Sequence, residues 1–185
     1  MTVTEKTLRD RLARVKLVAM DVDGTFTDGT VYYDSNGDVI KGFSSRDGLG
    51  LELLKRIGIR RGFISGRKDT ATESRGKFLG VDFYMPAIGD KSVALKKMAE
   101  QYDITLDECL YIGDDLNDLT ALEAAGVAVV VANASPSVKN FVDMITSAAG
   151  GYGAVREVVD MILDAKGIDP VELWLSDKDR PVGKK

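Results

Sequence analysis

The chain has 185 residues, 44% hydrophobic and 29% charged, with a formal net charge of −4, no histidine and one cysteine. That composition fits one globular domain with a real core, and it excludes disorder, a disulfide framework, a multi-cysteine metal site and a basic nucleic-acid binder. The lack of histidine also removes Ser-His-Asp triads, Cys-His pairs and histidine-ligated zinc, leaving acid–base chemistry to Asp, Glu, Lys, Tyr or Cys.

No apolar run reaches the length of a membrane span, and residues 1–14 are polar and of mixed charge. The expectation is a cytoplasmic protein without signal peptide or membrane contact, opening on a short helix or arm. The apolar run Val15 to Met20, broken by Lys16, reads as a central parallel strand buried on both faces, and it ends in Asp21-Val22-Asp23-Gly24-Thr25. Two β-prone runs then flank Asn36-Gly37, which predicts a hairpin over residues 30–43 with a type I′ turn, projecting from the edge that carries the aspartates.

From Asp47 the chain alternates helix and strand. Asp47 to Arg56 reads as a helix with apolar Leu49, Leu53 and Leu54, stopped by Gly58. Gly62 to Ser65 is a strand, Asp69 to Phe78 a helix ending at Gly80, and Val81 to Met85 a short strand before Pro86. Asp90 to Tyr102 is a helix with Val93, Leu95, Met98 and Ala99 as its apolar set. Cys109 to Ile112 is a strand in which the cysteine is a small core residue, and Gly113-Asp114-Asp115 opens a helix that ends near Gly126. Val127 to Ala132 is a strand, Ser135-Pro136 an N-cap with proline at the first helical position, Met144-Ile145 an edge strand, and Gly153 to Lys166 the last helix. Repeated βα units imply an α/β fold, a doubly wound, mostly parallel sheet with right-handed crossovers. Residues 1–166 form a single domain in this reading, and 167–185, with Pro170 and Trp174, a tail that is ordered only if it docks.

Asp21, Asp23, Asp114, Asp115 and Asp118 all follow apolar strands, so one sheet edge collects five carboxylates, an arrangement that needs a cation. Mg²⁺ suits it, with Asp21 and Asp114 as side-chain ligands. Asp21 is then placed to attack phosphorus, and Asp23, two residues on, to protonate the leaving oxygen and deprotonate water. Ser65 and Gly66 end another strand and offer a hydroxyl and an amide to phosphoryl oxygens. Lys91 opens a helix, where a cation opposes the macrodipole and needs a reason such as this cluster. Arg46, Arg67 and Arg75 offer bidentate contacts to an anionic substrate.

Asp21-Val-Asp-Gly-Thr25, Ser65, Lys91 and Gly113-Asp-Asp-Leu-Asn-Asp118 resemble, in order and spacing, the four motifs of the haloacid dehalogenase superfamily of phosphatases. The resemblance implies Asp21 as nucleophile, Asp23 as acid/base, Ser65 and Lys91 on phosphate, and Mg²⁺ on Asp21, the Asp23 carbonyl and Asp114. Thr27-Asp-Gly29, the hairpin, Phe43-Ser-Ser-Arg-Asp-Gly-Leu-Gly50, Ser65-Gly-Arg-Lys68 and Ala149 to Val158 carry a nearer resemblance, to the 3-deoxy-D-manno-octulosonate 8-phosphate phosphatases. That family implies no cap domain, a homotetramer whose hairpins and C-terminal tails help enclose neighbouring sites, and a sugar-acid phosphate substrate contacted around Ser44, Ser45, Arg46, Asp47, Gly48, Gly66, Arg67 and Arg75. A sister group acting on nine-carbon sialic-type acid 9-phosphates tends to carry Glu at the place of Arg67, so Arg67 and Arg46 favour the eight-carbon acid, and a phosphatase of sialic-type acids or other small sugar phosphates is the alternative among enzymes. The alternative of another class is a non-catalytic oligomerising module, against which stand all five of Asp21, Asp23, Ser65, Lys91 and Asp114.

Overall fold

The computed structural model describes residues 3–176. In chain order the first elements are α1 (Val3–Arg14), β1 (Leu17–Met20), β2 (Tyr32–Tyr33), β3 (Val39–Ile40), α2 (Ser45–Arg56), β4 (Arg60–Ile64), α3 (Thr70–Leu79) and β5 (Phe83–Met85). They are followed by α4 (Lys91–Gln101), β6 (Cys109–Gly113), α5 (Leu119–Ala124), β7 (Val127–Val130), β8 (Met144–Ile145), α6 (Ala154–Ala165) and α7 (Pro170–Leu175).

Six strands form one sheet in the order β5-β4-β1-β6-β7-β8, with every pairing parallel. All four residues of β1 are buried, as a strand covered on both faces requires, and they are apolar for that reason. The register sets Met20 beside Phe63 on one side and Ile112 on the other, so β4, β1 and β6 end level. Helices α1, α2, α6 and α7 pack together in one layer, α4 and α5 in the other. The chain runs outward from β1 through β4 to β5, then crosses to β6 and runs the other way. The reversal therefore falls between β1 and β6, the crevice where open α/β sheets bind ligands at the carboxyl ends of their strands.

The expected doubly wound architecture is present, and several local expectations need correction. The hairpin turn is not type I′, because Gly37 is left-handed (φ 84°) while Asn36 is not. Gly37 N donates to Asp34 O and Asp34 N to Asp38 O, a three-residue loop, and the Asp34 carboxylate fixes it by accepting from the amides of Asn36 and Asp38, both at 2.8 Å. No helix follows Ser135-Pro136. Val138 is drawn fully into the core while the chain has to reach β8 within a few residues, so only a short 3₁₀ turn over Lys139–Phe141 forms. Leu49 and Val93, assigned to apolar helix faces, are exposed. The tail is helical over α7: Asp169 caps it by accepting from Val171 N and Glu172 N, and Arg56 of α2 lies 4.3 Å over the Trp174 ring. Residues 177–185 of the expected tail lie outside the described residues. Among the described residues, no helix is long and apolar enough to cross a membrane.

Cys109 is fully buried, and burial pushes its thiol up to about 12. The native protein at pH 8 should therefore give no thiol reaction with an aromatic disulfide reagent, against one equivalent after denaturation. Rapid reaction of the native form would place the residue outside the core.

Candidate active site

The site grows from the loop that leaves β1. Asp21 N still donates to Ile112 O at 2.9 Å, after which Val22–Phe26 makes one wide turn closed by Thr27 N on Val22 O at 2.9 Å. Gly24 sits in that turn at φ 100°, and a Cβ there would lie 2.1 Å from Asp114 Oδ2. Only glycine meets both demands, so the β1 loop and the end of β6 come into direct contact.

Three carboxylates, from Asp21, Asp114 and Asp118, have oxygens within 4.8 Å of one another. Lys91, the first residue of α4, drives its ammonium between two of them, 2.6 Å from Asp21 Oδ1 and 2.6 Å from Asp118 Oδ1, with its side chain wholly buried. Asp118 is held from all sides. Its Oδ1 also accepts from the Tyr111 hydroxyl at 2.7 Å, and its Oδ2 from the amides of Asp114 at 2.9 Å and Asp115 at 3.3 Å. Thr25 Oγ1 donates to Asp114 Oδ1 at 3.2 Å.

Burial drives the Asp21 carboxyl well above the ordinary carboxylate range, reinforced by Asp118 and then Asp114, against the pull of Lys91. Burial, then Asp118, lifts Asp114 to about 6. For Lys91 burial acts downward, and the charges of Asp21 and Asp118 outweigh it, so its pKa is raised. A divalent cation against Asp21 and Asp114 would reverse the upward push on both. The donor set fits one. Asp118 is already committed to Lys91, Tyr111 and two amides, whereas Asp21 and Asp114 keep oxygens to offer, all of them hard ligands.

Beside this cluster lies a cleft of about 510 Å³ lined by Asp21, Asp23, Ser65, Gly66, Arg67 and Asn117. Ser65 follows β4, and its Oγ accepts from Arg67 N at 3.1 Å, which leaves the hydroxyl proton to donate. The Asp23 carboxylate has other partners than the cluster: Oδ1 meets Lys41 Nζ at 2.6 Å, and Oδ2 lies 3.5 Å from Arg67 Nε. Arg67 also donates to the Tyr33 hydroxyl of the hairpin at 3.2 Å.

Other expected substrate contacts lie elsewhere in the chain, and none of them lines this cleft. Ser44 is the N-cap of α2, accepting from Asp47 N, and Ser45 is exposed on its first turn. Asp47 is buried because its carboxylate accepts from Gly153 N at 3.2 Å and Arg156 N at 2.8 Å, capping the start of α6. Gly48 packs against the Arg75 guanidinium, which itself lies over Phe43 and Phe78. Arg46 borders a larger cleft of about 790 Å³ between α1 and α6, which holds none of the strand-end carboxylates. Conversely, Lys41 and Tyr111 belong to the site without having been singled out, and Thr25, which closes the first motif, was given no role of its own. Lys41 ends an alternating strand and looks like a solvated residue, and Tyr111 sits in an apolar run; neither carries a sign of its partner.

Residues 69–158 match the haloacid dehalogenase-like hydrolase family. The chain is 41% identical over 160 residues to the 3-deoxy-D-manno-octulosonate 8-phosphate phosphatase KdsC of Haemophilus influenzae, covering 86% of this chain and 89% of that protein. The chain belongs to this phosphatase family. KdsC of Escherichia coli K12 is 37% identical over 153 residues, 83% of this chain and 81% of the relative. Among solved structures, the Moraxella catarrhalis 3-deoxy-D-manno-octulosonate 8-phosphate phosphatase in complex with magnesium, phosphate and the sugar acid superposes with a TM-score of 0.85. It is 40% identical, over 88% of this chain and 93% of that one. The cobalt-bound Haemophilus influenzae enzyme gives the same TM-score, 0.85, at 40% identity, over 89% and 99% of the two chains. The chain is thus a phosphatase of the haloacid dehalogenase-like class, and its mostly parallel, helix-flanked fold matches the solved structures of this family.

Removing Lys91 would leave Asp21 and Asp118 buried without their cation. Lys91→Met is expected to cost about 3–5 kcal/mol of unfolding free energy in urea titrations and to abolish turnover. A variant as stable as the parent would show that the two carboxylates are not charged together in the folded state.

Proposed function

We propose that this protein is a Mg²⁺-dependent phosphomonoesterase that hydrolyses 3-deoxy-D-manno-octulosonate 8-phosphate to the free sugar acid and phosphate. The observation that carries the proposal is one constellation at the carboxyl ends of β4, β1 and β6. Asp21 lies under Lys91 at 2.6 Å, and Asp21, Asp23, Ser65 and Gly66 share one cleft. The names of the relatives and the magnesium, phosphate and sugar acid in the Moraxella catarrhalis complex support the metal and the eight-carbon substrate.

In this mechanism an Asp21 carboxylate oxygen bonds to phosphorus as the bond from phosphorus to the sugar oxygen breaks, and the proton of Asp23 passes to that oxygen. Asp23, now a carboxylate, takes a proton from water. The water oxygen bonds to phosphorus, the bond from phosphorus to Asp21 breaks, and phosphate leaves with the nucleophile restored. The Ser65 hydroxyl and Gly66 amide hold phosphoryl oxygens, while Lys91 keeps Asp21 oriented and offsets charge. Asp21, Asp114 and the Asp23 carbonyl would hold Mg²⁺, which would supply Lewis-acid neutralisation of the phosphoryl charge. Arg67, at the mouth of the cleft and half-exposed, is the group for the sugar-acid carboxylate.

The test is phosphate release, with and without Mg²⁺, from a panel that includes the eight- and nine-carbon keto-acid phosphates, with Asp21→Asn as the blank. The expected outcome is selective turnover of the eight-carbon acid, lost by more than about 10³-fold in the variant. Turnover that survives in Asp21→Asn would sink the mechanism, and preference for the nine-carbon acid would discard the substrate.

A cytoplasmic homotetramer belongs to the same proposal. Tyr32, Tyr33 and Ile40 expose more than half of their surface on the small hairpin, an apolar area that a subunit contact would bury. Sedimentation at micromolar concentration should give four times the chain mass of 20.0 kDa, and a monomer would overturn this part.

A further inference from the structure

Lys41, directly after β3, has a side chain with no exposed surface, an unusual state for lysine. Its ammonium meets three oxygens from two other parts of the chain. Asp23 Oδ1 lies at 2.6 Å, Asp69 Oδ2 at 2.7 Å and Thr72 Oγ1 at 3.2 Å. Two of these partners are fixed. Asp69 is the N-cap of α3, accepting from Thr72 N at 2.8 Å through Oδ1 and from the Thr72 hydroxyl at 3.1 Å through Oδ2. The helix start and the ammonium therefore form a rigid unit, and the third partner, Asp23, is a short side chain on the loop after β1, partly open to the cleft.

A carboxylate on a loop has two torsions to settle. An ion pair to a buried ammonium settles them by taking one oxygen and aiming the other. With Oδ1 held by Lys41, Oδ2 is the oxygen on the Arg67 side of the cleft. We propose that Lys41 is a positioning residue for phosphoryl transfer: it pins Oδ1 of Asp23 so that Oδ2 faces the reacting oxygen, and through it the hairpin and α3 fix the geometry of proton transfer. This inference rests on the phosphatase reading and deepens it. The contrasting role is a structural one, in which Lys41 only fastens the hairpin to α3 through Asp69 and Thr72.

The two roles differ in their dependence on the leaving group. An alkyl phosphate expels an alkoxide and needs the proton of Asp23, whereas p-nitrophenyl phosphate expels a stable phenolate and does not. Release of the second product needs Asp23 as a base with either substrate. The experiment compares the parent, Lys41→Met and Lys41→Arg with Mg²⁺ on the sugar-acid phosphate and on p-nitrophenyl phosphate, in steady state and in stopped flow. For Lys41→Met, kcat on the sugar-acid phosphate should fall about 10²-fold with KM within about threefold. On p-nitrophenyl phosphate a burst approaching one phenolate per site should precede a slow steady state, because the first step survives and the second does not. Lys41→Arg keeps the charge and should recover part of kcat.

If Lys41→Met does not fold, Lys41→Arg carries the comparison, with a smaller fall in kcat and the same burst. Equal losses on both substrates without a burst, a change in KM alone, or an unchanged kcat in a folded variant would each overturn the inference while leaving the phosphatase reading standing. A parent protein with no Mg²⁺-dependent phosphatase activity would overturn both.

Discussion

Three carboxylates meet at one edge of the sheet, and the buried ammonium of Lys91 is set between two of them, 2.6 Å from each. Most of the site follows from that constraint. Burying ions without partners costs several kcal/mol each, so the charges are tolerable only as a hydrogen-bonded network. Asp118 serves this network rather than the cleft. By accepting from Lys91, Tyr111 and two backbone amides it fixes where the ammonium stands, and the ammonium in turn fixes Asp21. A lysine at the first position of a helix opposes the macrodipole by a fraction of a kcal/mol, about 0.3–1, and the two carboxylates outweigh that cost.

The fold supplies the convergence. Because β4, β1 and β6 end in register around a topological reversal, residues more than forty positions apart in the chain leave the sheet side by side. Close packing of the loops then sets the distances. A Cβ on Gly150 would lie 1.8 Å from Gly24 O, just as one on Gly24 would strike Asp114. The loop before α6 thus presses from behind on the turn that carries Asp23, and the position of the acid/base candidate is set by backbone contact as much as by side chains.

What the sequence made legible follows the same physics. Asp21, Asp23, Ser65 and Asp114 could be read because each ends or follows an apolar strand, and strand ends share an edge whatever the details of packing. Lys91 could be read because it violates the charge preference of a helix start. Residue type alone does not tell where a side chain points. Asp47 and Arg75 have the right chemistry for an anionic ligand, yet one caps α6 from over a hundred residues away and the other lies over Phe43 and Phe78. Lys41 and Tyr111 were hidden for the converse reason: their partners, Asp23, Asp69 and Asp118, become neighbours only when the hairpin and the sheet are both in place. The hairpin turn shows the limit at short range, since the Asp34 side chain, not the Asn-Gly pair alone, selects its geometry.

The two aspartates of the first motif, two residues apart, are held by different cations from different parts of the chain. Asp21 is bound to Lys91 on α4, and Asp23, which lines the cleft, to the buried Lys41 directly after β3 of the hairpin. In the proposed mechanism, separate partners let the two carboxylates take different tasks despite their adjacency, Asp21 that of the nucleophile and Asp23 that of the acid and base. In a chain without histidine, the proposed proton-transfer group is a carboxylate that has to be aimed rather than an imidazole whose two nitrogens divide holding and reacting between them. Lys41 takes the holding role from outside the side chain. On this proposal the hairpin that delivers Lys41 is part of the catalytic geometry: Ile40 directly precedes Lys41 and pairs with Tyr32 across the hairpin, so a subunit contact on the exposed Tyr32, Tyr33 and Ile40 would lie one residue from the ion pair to Asp23.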